Sequence, residues 1–135
     1  MDLMKSVQVS ASGMAAQSKR MQVVSENIAN ADSLVTETGE PYRRKLITFE
    51  AAINRSTGLT EVEVKHVKPD YDTPLKREYA PHHPLADDKG FIAKPNVNTL
   101  SEKVDMRDAS RAYEANMSAI ESAKEMMVRS IDMLR

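Results

Sequence analysis

Val7, Met14, Met21 and Ile28 fall at every seventh residue near the start of this chain, and Met106, Tyr113, Ile120, Met127 and Leu134 do the same near its end. Between them, at the complementary positions, lie Leu3, Ser10, Gln17 and Val24, then Ala109, Asn116, Ala123 and Ser130. A 4-3 alternation of this kind lays a seam along one face of a helix. Such a seam is covered only by another helix, so the two termini constrain the fold before any other feature does. Adhesive helices at opposite ends read as a chain built to assemble rather than to catalyse.

The first helix is expected over residues 3–29, with Gly13 its weak interior point, since glycine costs about 1 kcal/mol relative to alanine in a helix. At ~1.5 Å per residue it would be about 40 Å long, too long for a small globule. Asn30, Asp32 and Ser33 supply the stop, because Asn tolerates the left-handed position past a helix end. A second helix starts at Thr99-Leu100-Ser101-Glu102, a capping-box pattern, and runs to the end of the chain. Glu125 and Arg129 form an i,i+4 pair on it, and Arg135 suits the negative pole of its dipole.

Between the helices the text changes. Residues 32–98 hold all six prolines and three of the four glycines. Residues 59–67 alternate through Val62 and Val64 and read as a half-buried strand. Residues 42–49, 75–79 and 91–93 are further strand candidates, separated by turns at 81–84 and 87–90. The fold expected is mainly α: an N-terminal coiled-coil helix (1–31), an extended, β-containing middle segment (32–98) and a C-terminal coiled-coil helix (99–135). The helices pair as an antiparallel hairpin, with residue numbers across the seam summing to very roughly 135. That places Asn116 near Arg20 and about one turn from Gln17. The alternative is that these polar residues face solvent or a third chain. Buried helix faces of this size offset the backbone entropy of ordering the helices only narrowly. The terminal helices are therefore expected to be loosely ordered in the free subunit and to lock when neighbours cover them.

Composition excludes several classes. Two Phe, four Tyr and no Trp leave little for a large aromatic core, while nine Met favour adaptable packing surfaces. Net charge is −1 and both signs are spread along the chain. No segment carries the concentrated basic face that nucleic acid requires. There is no Cys for a disulfide, a thiolate nucleophile or a thiolate metal site. The uncharged run 6–18 is too rich in Ser and Gln for a signal sequence, and no stretch approaches the ~20 apolar residues of a membrane span. The expectation is a chain without membrane insertion, cytosolic or exported by a route that needs no cleaved signal.

Catalytic and metal chemistry find no support. His82 and His83 sit between prolines, and adjacent side chains diverge, so a solvent-exposed turn is the simpler reading. His66 stands alone. Asp70 and Asp72 lack the glycine and terminal glutamate of a calcium loop. Four glycines form no phosphate loop, and no nucleophile-elbow pattern occurs. No cofactor is expected.

The run Ser25-Glu26-Asn27-Ile28-Ala29-Asn30-Ala31-Asp32, followed by Tyr42-Arg43-Arg44-Lys45, resembles the N-terminal signature of the bacterial flagellar rod and hook axial proteins. His83-Pro84-Leu85-Ala86-Asp87, Gly90-Phe91-Ile92, Pro95-Asn96-Val97-Asn98 and the run from Asp108 to Asn116 extend the resemblance over essentially the whole chain, toward the proximal-rod members of that family. Where many relatives have a short Thr-Pro-Gly-Tyr turn, this chain has a longer stretch, residues 33–40.

The resemblance implies a structural subunit of the basal body, exported through the flagellar type III apparatus and polymerised helically in the periplasm. Its partners would be copies of itself, other rod proteins, the adaptor to the membrane ring and the export machinery. Cytosolic coiled-coil adaptor is the alternative, and small secreted enzyme or ligand binder a more distant one. On this reading Ser25, Asn27, Asn30, Asp32, Arg43, Arg44, Arg111, Tyr113 and Asn116 meet neighbouring subunits. Simple helix capping competes with that role for Asn27 and Asn30, and a solvated strand edge competes with it for Arg43, Arg44 and Lys45.

Overall fold

The computed structural model describes residues 3–134, so Arg135 lies outside the described residues. Helix α1 spans Leu3–Ala29 and helix α2 spans Thr99–Asp132. Between them come β1 (Lys45–Ile53), β2 (Thr60–Pro69), β3 (Lys76–Tyr79) and β4 (Phe91–Lys94). The strands form two separate antiparallel pairs, β1–β2 and β3–β4. Helices of 27 and 34 residues make up less than half of the 135-residue chain. "Mainly α" was therefore too strong, because the middle segment folds into paired strands.

One side of α1 touches α2 and another touches the β1–β2 hairpin. Gln8 Nε2 donates to Glu61 Oε1 at 2.7 Å, and the Val62 N–H donates to Ser12 Oγ at 3.1 Å. Ala16 and Val23 are buried and follow Ser12 by helical spacing, so they belong to this second face. That is why α1 buries residues off the heptad seam. Val64 is half-buried, but Val62, expected on the same inward face, is exposed. The ladder slips at Thr48/Phe49, beyond both valines, and is continuous from Val64 to Val62, so the slip does not account for the exposure of Val62. In the loop 54–59 that joins the two strands, Gly58 sits at φ +69° with its N–H bonded to Asn54 O at 2.7 Å, a conformation that favours glycine.

Residues 33–40 make a closed excursion. Thr36 N–H donates to Glu40 O at 2.9 Å, and Tyr42 N–H donates to Ser33 O at 3.0 Å. The loop therefore returns residues 42–45 to the end of α1. In the smaller pair, the Tyr79 and Phe91 rings meet edge to face at 5.3 Å, while buried Ile92, Pro95 and Val97 lead into α2.

Two expectations about α2 need correction. Its N-cap is Asn98, not Thr99: the Asn98 side chain accepts from Leu100 N and Ser101 N. Asn is among the strongest caps, and Glu102 is engaged elsewhere. The helix also ends at Asp132 with Met133 as its C-cap, so Leu134, expected in the seam, lies past the helix and is 88% exposed.

Along α1 and α2, three contacts set the relative position: Gly13 by Asn116, Arg20 by Asp105 and Asn27 by Glu102. Partner numbers fall as the first number rises, and they sum to between 125 and 129 rather than 135. Asn116 accordingly faces Gly13, not Arg20. The seam is offset because buried polar pairs, not the apolar stripe alone, decide where it locks. Val24, Ala109 and Ala123 are buried on it, while Leu3, Val7, Met14, Met21, Ile28, Met106, Tyr113, Ile120 and Met127 are half-buried. With Gly13 opposite Asn116, Leu3 falls opposite Met126. Val128, Ile131, Met133 and Leu134 thus project beyond Leu3 and are exposed.

Gly13 marks a close approach. A Cβ there would lie 2.9 Å from Asn116 Nδ2 and 3.2 Å from its Cγ and Oδ1. Gly13→Ala gains helix propensity of about 1 kcal/mol but must displace the Asn116 amide. In an Asn116→Ala background the full gain is expected. In the parent it should be smaller by about 0.5–1 kcal/mol, which urea unfolding of the four chains measures.

Candidate functional site

Asn27 lies in the last turns of α1, where the returning residues 42–45 and the first turn of α2 close over it. It is 1% exposed. A carboxamide has two donor hydrogens and two acceptor lone pairs, and all four are used within the chain. Its Nδ2 donates to Lys45 O and to Glu102 Oε2, each at 3.0 Å. Its Oδ1 accepts from Tyr42 Oη and from the Lys45 N–H, each at 2.8 Å. The amide thus pairs with the first residue of β1 as a neighbouring strand would, while holding α2 through Glu102.

Glu102 is also 1% exposed, and its other oxygen accepts from Arg44 Nε. Arg44 Nη2 reaches Asp105 at 3.3 Å, and Asp105 reaches Arg20 on α1 at 3.2 Å. The Arg44 backbone is held as firmly: its N–H donates to Asn96 Oδ1 and its carbonyl accepts from Asp70 N–H, both at 2.7 Å. Asn96 Nδ2 then donates to Asp70 O and Thr73 O at 3.1 Å. One polar clasp therefore joins α1, the returning arm, the end of the β1–β2 hairpin, the 95–98 segment and α2. Buried networks of this kind are costly when partly satisfied and specifying when complete.

Burial in the clasp, with Glu26 and Glu102 nearby, pushes the Tyr42 hydroxyl up to about 12. At the rim, the hydrogen bond from Lys45 holds the Glu26 carboxyl below its usual value. A folded-state value raised above the ordinary 10 means that the stabilisation is complete below pH 10 and is lost as pH rises toward 12. Because solvent screens this half-buried position, the chain should lose about 1–2 kcal/mol over that window. Tyr42→Phe, less stable at pH 7 because it lacks the bond to Asn27, should show a visibly flatter slope. Urea midpoints across the alkaline range make the comparison.

The residues expected at subunit contacts divide in two. Asn27, Asn30 and Arg44 turn inward. Asn27 has no free hydrogen-bonding position, and Asn30 caps its own helix, with Nδ2 donating to Glu26 O at 2.9 Å and Oδ1 accepting from Ser33 Oγ at 3.1 Å. Within the single subunit these internal partners already engage all three, while Asn30 and Arg44 stay half-buried at its surface. Asn116 is half-buried and donates to Ala112 O of its own helix at 3.0 Å. Arg43 stacks its guanidinium 4.9 Å from the Tyr71 ring centroid, and its Nε is buried without a hydrogen-bond partner. Tyr113 is half-buried, whereas Ser25, Asp32 and Arg111 are exposed. Reasoning from residues alone missed Arg20, Tyr42, Asn96, Glu102 and Asp105 as members of one site. The available signal was Glu102, an acid too near the seam to be solely a cap.

His82 is exposed in its turn, and His83 Nδ1 accepts from Leu85 N–H at 3.1 Å. No helix among the described residues is long and apolar enough to cross a membrane.

The ends that the clasp joins each match a protein family. Residues 8–34 match the flagella basal body rod protein family, and residues 88–133 match the flagellar basal body rod FlgEFG protein C-terminal family. Flagellar basal-body rod protein FlgC of Agrobacterium fabrum is 41% identical over 128 residues, covering 94% of this chain and 91% of the relative. Its counterpart in Salmonella typhimurium is 39% identical over 133 residues, 97% of each chain. That of Borreliella burgdorferi is 38% identical, covering 100% of this chain and 99% of the relative. The chain belongs to the FlgC family of flagellar basal-body rod proteins. In this FlgC-family chain Asn27, Asn96, Glu102 and Asp105 lie inside the two matched segments, and Tyr42, Arg44 and Lys45 lie between them.

Proposed function

We propose that the chain is a structural subunit of the proximal rod of the flagellar basal body. It is exported by the flagellar type III apparatus and polymerises helically in the periplasm through terminal helices that pair as an antiparallel coiled-coil hairpin. The near full-length similarity to FlgC proteins carries this reading. The clasp supports it physically, because it orients two long helices at one end and leaves Val128, Ile131, Met133 and Leu134 uncovered at the other.

On this reading segments 1–31 and 99–135 form the assembling layer and 32–98 an outer portion. The partners are other copies, the remaining rod proteins, the adaptor to the membrane ring and the export machinery. Neither nucleic acid nor insertion into a membrane is involved, and the chain is not an enzyme. Ser25, Asp32 and Arg111, which are exposed, meet neighbouring subunits, as do Arg43 and Tyr113. The uncovered helix ends are loosely ordered in the free subunit and lock on assembly.

Deleting the gene should remove the rod, and restoring it should return both the rod and the chain to isolated basal bodies. Rods that persist without it, or a chain confined to the cytosol as an adaptor would be, overturn the reading. Dilute monomer with full, cooperatively melting helix content would overturn the loose-end part alone.

A further inference from the structure

Lys103, Arg107, Arg111, Glu114, Ser118, Glu121 and Glu125 follow one another at intervals of three and four along α2, and all are exposed. They form one row on the side away from α1. Asp108 and Lys124 lie to either side of it. The N-terminal half of the row is basic and the C-terminal half acidic. This arrangement is unfavourable in an isolated helix. Lys103/Arg107, Arg107/Arg111 and Glu121/Glu125 are like-charge pairs at i,i+4, which repel. Nor does the subunit compensate: among the described residues, Lys103, Arg107, Arg111, Glu114 and Glu121 enter no ion pair, and only Glu125 has one, with Arg129 at 3.6 Å.

A partner of uniform charge would match one half of the row and repel the other. The row is complementary to itself in two ways: antiparallel and undisplaced, which closes a dimer, or parallel and displaced along the helix, which propagates as the proposed assembly requires. Arg107 and Glu121 are fourteen positions apart, as are Arg111 and Glu125, so a single shift of about 21 Å satisfies both pairs. We propose that this row is a contact between copies of the chain, in which α2 of one subunit lies parallel to α2 of the next, displaced by about fourteen residues. The inference rests on the assembly reading above and specifies its register. A displaced parallel contact is heterologous, so it leaves an unused half at each end and propagates instead of closing a dimer. Being electrostatic and exposed, it weakens with salt.

The chain has no cysteine, which gives a clean reporter. Val104 and Ser118 are also fourteen positions apart, exposed and uncharged, and too distant on one helix to bridge within a subunit. In cells whose only copy carries Val104→Cys and Ser118→Cys, a short bis-maleimide added to isolated basal bodies should yield a ladder of dimers, trimers and higher forms. Each single-cysteine chain should yield none. Adding Arg107→Glu and Arg111→Glu should reduce the ladder at least about tenfold. Adding Glu121→Lys and Glu125→Lys to that chain, which inverts the row, should restore it. Circular dichroism of the purified variants checks that α2 is retained.

A ladder indifferent to the charge changes, a dimer only, or no ladder from chains present in basal bodies overturns the contact while leaving the rod reading intact. Absence of the unsubstituted chain from basal bodies that still contain rods overturns both.

Discussion

Glu102→Leu should lower stability by about 2–4 kcal/mol, somewhat less than breaking a fully buried ion pair, because Arg44 is partly exposed and keeps its contact with Asp105. The leucine fills similar volume, so the loss is not one of packing. It falls on Arg44, whose Nε loses its carboxylate, and on Asn27 Nδ2, which loses one of two acceptors. Arg44→Met in the same chain should recover part of that loss, because the guanidinium left with only Asp105 is then gone and Asp105 keeps Arg20. Glu102→Gln should fall between, since it retains shape and one acceptor without the charge. Urea unfolding of the four chains of the Glu102/Arg44 cycle gives the coupling directly. If Arg44→Met makes Glu102→Leu worse, the pair is not the centre of the clasp.

Asn27→Ala should cost about 3–4 kcal/mol by a different route. It strands the Lys45 N–H and carbonyl, the Tyr42 hydroxyl and one oxygen of Glu102 together, and each unsatisfied buried group costs about 1–3 kcal/mol before water or rearrangement relieves it. Asn27→Asp tests the chemistry. The carboxylate can still accept from Lys45 N–H and Tyr42, but it faces Glu102 and the Lys45 carbonyl without hydrogens to give. It should therefore be about as damaging as alanine near pH 7 and recover as pH falls and the acid is protonated. Asn30→Ala, which removes a local cap, should cost only about 1 kcal/mol. Equal losses for Asn27 and Asn30 would mean that both act only as helix terminators.

Much of the architecture was legible because it is local. The 4-3 stripe gave the extent of α1, and the prolines and glycines lie in the stretch where the strands form. The strand at 59–67 was visible in its alternation and differs from β2 by one or two residues at each end. Where reading failed, a distant residue had intervened. Asn27 and Asn30, three positions apart, look alike as helix-end residues. One is closed over by Tyr42, Lys45 and Glu102, and the other stays with Glu26 and Ser33. Glu102 read as half of a capping box until Arg44 and Asn27 claimed its carboxylate.

Helical and strand periodicity, the absence of cysteine and the signature 25–32 were determined by the sequence alone, because each depends on neighbours within a few residues. The register of α1 against α2, the inward turn of Asn27 and the overhang of residues 128–134 were decided only by tertiary structure. An apolar stripe slides with little penalty from one heptad to the next. A buried amide and a buried carboxylate do not slide, since every hydrogen bond they make is directional and each one lost leaves a buried group short of a partner. The loop closed between Ser33 and Tyr42 brings their partners to one place, and that place sets the seam.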